Sequence, residues 1–178
     1  MSPELESCHA AFAAIETQRR ETLARLAEWA PQRVAFRPSR DSWCAIEVLD
    51  HIVRAESGTI TDVKDGLKHP HPLGPEERPG IALLDRALRS DERFRIPAGS
   101  GTILPDTNTT MPEVLGRWEQ ARKELRQMLS ELAPEDARGG VFKHPFAGWM
   151  TVAEVLNHFH AHLYHHTYQL ARLEECSV

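Results

Sequence analysis

The chain has 178 residues, 41% apolar and 26% charged, which is one domain's worth of ordinary globular sequence, so residues 1–178 are read as a single domain. Its 26 acidic and 21 basic side chains leave a net charge of −5, which excludes the uniformly positive footprint of a nucleic-acid binder. No apolar run approaches the roughly 18 residues needed to cross a bilayer, so no membrane partner is expected. The acidic start, Met1-Ser2-Pro3-Glu4-Leu5-Glu6, is unlike a targeting leader. Cys8, Cys44 and Cys176 cannot all pair and lie far apart in sequence, which suits a reducing cytoplasm.

The first predicted helix spans about 3–29, with Leu5, Ala13, Ile15, Leu23 and Leu26 set among Glu, Gln and Arg and ending before Pro31. A second covers about 43–68, with Ala45, Val48, Leu49, Ile52 and Val63 on one side. The stretch 69–109 holds six of the twelve prolines and room for a short helix near Ile81–Arg89. A third helix starts at the capping box Thr110-Met111-Pro112-Glu113 and runs to about Leu132. After a loop carrying Gly139-Gly140 and Lys143-His144-Pro145, a fourth starts at Thr151-Val152-Ala153-Glu154 and runs to about Glu174. The fold class is therefore all-α: a four-helix bundle. The long Pro-rich crossover lets helices two and three run parallel, giving an up-down-down-up order.

Ten histidines are the unusual feature, five of them between His158 and His166. Helical residues four apart stack on one face, so His158, His162 and His166 form a stripe continued by Gln169. His165 flanks it and His160 points away. His162 and His166 lie closest to the apolar face of Val152, Val155, Phe159, Leu163 and Leu170. An i, i+4 histidine pair is a common way to give one divalent ion two imidazoles. A third comes from depth. At ~1.5 Å per residue, His51 lies ~12 Å from the start of helix two. In an antiparallel pair that matches His166 at ~12 Å and His162 at ~18 Å from the end of helix four, whereas His158 at ~24 Å is too far. The expected metal site is His51, His162 and His166.

Three imidazoles leave coordination positions open, as in catalytic sites, and suit Zn or Ni. Such an ion would lower the pKa of bound water towards ~7, or take a thiol as thiolate. The remaining catalytic residues are unknown from sequence. Glu47, one turn before His51, is a candidate proton carrier whose position equally fits a capping residue. Cys44 reads as a buried cysteine near a helix start. Trp29, Trp43, Trp118 and Trp149 read as packing at helix ends or faces, with Trp43 or Trp149 able to wall a pocket. Arg117, Arg122, Lys123 and Arg126, interleaved with Glu119 and Glu124, read as a solvated face. His69 and His71, between prolines, are expected to be exposed.

The chain resembles the DinB superfamily, in particular its YfiT-like metal-dependent hydrolases. The resemblance is carried by Arg37-Pro38 with Trp43 and His51, by His144-Pro145 with Gly148, and by the string HLYHHTYQL from His162 to Leu170. It implies an up-down-down-up bundle, often a homodimer, with ligands at His51, His162 and His166. Where YfiT-like members often carry His, this chain has Gln169. The activity it implies is metal-dependent hydrolysis, or transfer of a low-molecular-weight thiol to an electrophile, on a small-molecule substrate. A non-catalytic, metal-stabilised stress-response bundle is the alternative. A DNA-associated role would rest on the superfamily's name alone, against the net charge.

Overall fold

The computed structural model describes residues 2–74, 80–93 and 101–176. These form α1 (Pro3–Ala27), α2 (Pro31–Val34), α3 (Ala45–Gly66), α4 (Ile81–Leu88), α5 (Met111–Glu131), β1 (Phe142–His144), β2 (Gly148–Met150) and α6 (Val152–Glu175). The protein is mostly helical, and the four long helices fall within two residues of the ends their sequence predicts. Their starts are set by caps that satisfy otherwise unpaired N–H groups. Glu113 accepts from the Thr110 N–H at 2.8 Å and Glu154 from the Thr151 N–H at 2.9 Å. Ser2 receives the Leu5 N–H at the start of α1. Among the described residues no helix is long and apolar enough to cross a membrane.

Helix α6 packs against α1 and α3, and α3 packs in turn against α5. Charged pairs record how the helices run. Asp50–Arg117, Glu56–Arg122 and Lys64–Glu124 advance together along α3 and α5. Between α3 and α6 the order reverses: Ala45 and Val48 share a cluster with Leu170 and Leu173, while Ile60 and Val63 share another with Val152 and Val155. The interior is thus two apolar clusters, one at each end of the helices.

Arg122 sits between those clusters and is fully buried, a correction to its expected place on a solvated face. It lies 2.9 Å from Glu56, itself fully buried, and 3.0 Å from Glu16. Trp118 donates its indole N–H to Glu56 at 2.8 Å. A charge in this position costs several kcal/mol unless paired, so the network selects one register of α5 against α1 and α3. Interleaving with Glu119 and Glu124 hides this, because a buried Arg and a solvated one look alike when their partners are on other helices.

Two short elements escaped the sequence reading. Helix α2 is a single turn opened by Pro31. Strands β1 and β2 pair antiparallel, Phe142 with Met150 and His144 with Gly148. Three residues per strand are too few to display a period of two. The turn between them is closed by the His144 Nδ1, which faces the N–H groups of Phe146 and Ala147 at 3.2 and 3.3 Å, and by Gly148 at φ 80°. The stretch before it meets α3 closely: a Cβ on Gly66 would lie 1.9 Å from the Val141 carbonyl oxygen. His71 also departs from expectation. It bridges to Gly140 and stacks on Trp149 with ring centroids 4.5 Å apart, which ties the residues after α3 to this hairpin, whereas His69 is exposed.

Glu56→Ala would leave Arg122 buried beside Glu16 alone, and is expected to cost about 3–5 kcal/mol in urea unfolding. Lys64→Ala, which removes the exposed pair with Glu124, is expected to cost under about 1 kcal/mol. Equal losses would contradict the burial argument.

Candidate metal centre

His51 comes from the second turn of α3, and His162 and His166 from successive turns of α6. The structure brings these three together, as helix depth predicts. Their ring centroids lie 5.1 Å (His51–His162), 4.9 Å (His51–His166) and 4.6 Å (His162–His166) apart. One ring nitrogen from each falls within 4.8 Å of the others, a cluster that can hold one metal ion. His51 and His166 are buried and His162 is half-buried. Trp43 covers His51 from the helix start, at 5.0 Å between rings.

Hydrogen bonds behind the rings determine what faces inward. His51 Nδ1 is 2.8 Å from the Ile103 carbonyl oxygen, which can only accept, so Nδ1 carries the proton. His166 Nδ1 is 2.9 Å from Gln169 Oε1, with the same consequence. Each neutral ring then presents the Nε2 lone pair, and both lone pairs face His162 Nε2, at 3.2 and 3.1 Å. That nitrogen can donate to only one of them. A cation at the centre resolves the mismatch, and an outer acceptor behind each inner ligand is the usual support of a histidine metal site. The donor set therefore fits a divalent ion.

Burial keeps these rings neutral. It lowers the pKa of His51, with the Ile103 carbonyl partly opposing it. It holds His166 down to about 3, assisted by His51, and His162 well below its ordinary value, assisted by His166 and His51. Neutral imidazole is the form that binds metal.

Comparison with known proteins places the chain. Residues 14–170, which include all three histidines, match the family model of the DinB superfamily. The chain belongs to the DinB superfamily. No curated protein and no solved structure matches it.

The other histidines of this DinB-superfamily chain take separate places. His158 stacks on the outer side of His162 at 6.0 Å between centroids and lies 5.0 Å from the His144 ring. Its Nδ1 is buried without a hydrogen-bond partner, and burial followed by the nearby His144 lowers its pKa to about 3. His165 Nδ1 faces the Ser90 carbonyl at 3.4 Å, and His160 Nδ1 faces Arg89. Beside His158 lies a cavity of about 530 Å³, walled by Ile81, Leu84 and Met150 with Asp85, Arg89 and Asn157 at its polar edge. It is of small-molecule size.

The hydrogen bonds of Glu47 go to Cys44 and Arg37 rather than to the histidines. One oxygen accepts from the Cys44 N–H at 3.0 Å and the other from Arg37 at 2.5 Å, so it serves as a cap and anchors the loop before α3. Cys44 is the buried N-cap residue, its thiol pushed up by burial. Neither the Ile103 carbonyl nor a role for Gln169 beyond its place in the stripe is expected from the sequence. Gln169 could have been found from its i, i+3 spacing to His166; a backbone carbonyl 52 residues from His51 leaves no such signal.

Because these imidazoles have folded pKa values below the ordinary 6.5, the unfolded chain binds more protons as pH falls. Stability is then full above about pH 6.5 and is lost progressively below it, towards about 3 for His158 and His166. Metal-free protein is expected to melt several degrees lower at pH 5.5 than at pH 7.5. A midpoint that holds or rises over that interval rejects neutral buried imidazoles.

Proposed function

We propose that this protein is a YfiT-like metal-dependent enzyme that holds one divalent ion, zinc or nickel, on His51, His162 and His166 and acts on a small molecule by hydrolysis or thiol transfer. The observation that carries the reading is the convergence of three imidazole nitrogens with no carboxylate or thiolate among them. Three neutral ligands leave the ion its full charge and open positions, the arrangement of catalytic rather than structural sites. When bound, such an ion supplies Lewis-acid polarisation of an oxygen or sulfur donor. The chain's own contribution is orientation and exclusion of water. Ile103 and Gln169 hold two rings in the metal-binding tautomer, Trp43 covers His51, and the cavity beside His158 offers an apolar wall to a substrate.

The helix contacts support an up-down-down-up four-helix bundle in a single domain. Its long crossover spans from the end of α3 to Thr110, and the unpaired cysteines are in keeping with a cytoplasmic location. A second reading, a non-catalytic metal-stabilised bundle, is favoured by one feature. The cavity is lined by His158 and by none of the three clustered histidines.

Chelator-stripped, tag-free protein titrated with Zn²⁺ or Ni²⁺ is expected to take up one tight equivalent per chain, and His162→Ala to lose it. Unchanged uptake by His162→Ala would refute the site. Loaded protein is then assayed with low-molecular-weight thiols plus an electrophile, and with hydrolysable esters. Metal-dependent turnover of either class supports the enzyme. A large rise in melting temperature on loading, with turnover of neither, supports the structural reading.

A further inference from the structure

We propose that Asp50 is a positioning residue for the metal centre, holding the end of the crossover so that the Ile103 carbonyl fixes the orientation and tautomer of His51. The inference rests on the metal-binding reading above. Asp50 is fully buried, and a buried carboxylate requires full pairing. Its partners come from three places. Arg54 Nε donates at 2.7 Å from the next turn of α3, Arg117 donates from α5, and the backbone N–H of Asp106 donates at 2.8 Å.

The last of these bonds links Asp50 to the metal centre. Asp106 lies three residues after Ile103, with the stiff Pro105 between them, so fixing the Asp106 N–H leaves the Ile103 carbonyl little freedom. Further contacts tighten the segment. Residues 101–103 form a 3₁₀ turn closed by the Leu104 N–H on the Gly101 carbonyl. Arg117 also donates to the Thr109 hydroxyl at 3.0 Å, so one guanidinium joins Asp50 to the residues that lead into α5.

Metal-site histidines commonly donate their outer N–H directly to a carboxylate or a carbonyl. Here a carbonyl receives the His51 proton, and the carboxylate acts one step removed by holding that carbonyl's turn. Adjacent helix positions point about 100° apart, so Asp50 reaches the crossover and α5 while His51 reaches α6. Arg54 and Arg117 alone would neutralise Asp50 by ion pairing. The Asp106 bond adds nothing to that charge balance, but it fixes the position of the crossover.

The test compares wild type with Asp50→Asn and Asp50→Ala by competition titration with Zn²⁺, by the visible absorption of the Co²⁺-loaded protein, and by hydrogen exchange of the 101–106 amides. Lys64→Ala serves as a control for loss of a pair between α3 and α5 away from the centre. The expected result is a folded Asp50→Ala variant with Zn²⁺ affinity reduced about 10- to 100-fold, and a smaller loss in Asp50→Asn, whose side-chain oxygen can still accept the Asp106 N–H. The Co²⁺ bands of Asp50→Ala should be altered, and the protection of the 101–106 amides that metal binding is expected to bring in wild type should be lost. Wild-type affinity and Co²⁺ spectrum in folded Asp50→Ala would overturn the inference, as would an equal loss in Lys64→Ala. Should the Asp50 variants fail to fold, Arg117→Ala, whose side chain is 44% exposed, carries the test. A several-fold loss of affinity with the same spectral change is expected, and no change overturns the inference. Failure of the wild type to bind any ion overturns the metal reading itself, an outcome visible before any variant is made.

Discussion

Imidazole nitrogens 3.1 to 3.2 Å apart, at a site largely withdrawn from water, cannot all carry protons and cannot all pair with one another. That constraint organises the site. Protonation is disfavoured by burial and by the neighbouring rings, and the outer nitrogens of His51 and His166 are committed to carbonyl acceptors. What remains at the centre is concentrated lone-pair density, which a divalent cation satisfies. The same arrangement offers poor hydrogen bonding when no cation is bound, so the surrounding packing must hold the rings in place against their own repulsion.

Two buried charge networks on α3 supply much of that hold. Asp50 holds the Asp106 backbone and one level of α5, while Glu56 with Arg122 and Trp118 fixes the level between the two apolar clusters. Hydrophobic burial is non-directional and tolerates a small slide of one helix along another. Paired buried charges do not, because a slipped register leaves an ion without its partner. His51 lies on the same helix as both networks, so they fix its depth against α5, while the apolar clusters that α3 shares with α6 set it against His162 and His166.

The helices were legible because each carries its own punctuation. Thr110 with Glu113 and Thr151 with Glu154 announce their caps, and the apolar spacing of α3 and α6 marks the buried faces. The histidine trio was legible for a related reason. His162 and His166 are neighbours by helix geometry alone, and only His51 had to be placed by comparing depths. Glu47 is ambiguous in sequence because a cap and a proton carrier share that position; its bonds to Cys44 and Arg37 show the cap. The burial of Arg122 is not legible, since nothing local separates a buried guanidinium from a solvated one. Nor is the hairpin, because its strands are three residues long.

Local chemistry in the chain therefore determined the four long helices, their starts, and which histidines share a face. These depend on interactions within about four residues, which sequence displays directly. Tertiary structure decided the rest. It brought the Ile103 carbonyl to His51, seated Asp50 on the Asp106 N–H, buried Arg122 between Glu56 and Glu16, and stacked His71 on Trp149. Each of these joins groups far apart in the chain, and two of them use backbone atoms that every residue possesses. A backbone carbonyl has no residue-specific signature, so its role appears only once the fold has placed it.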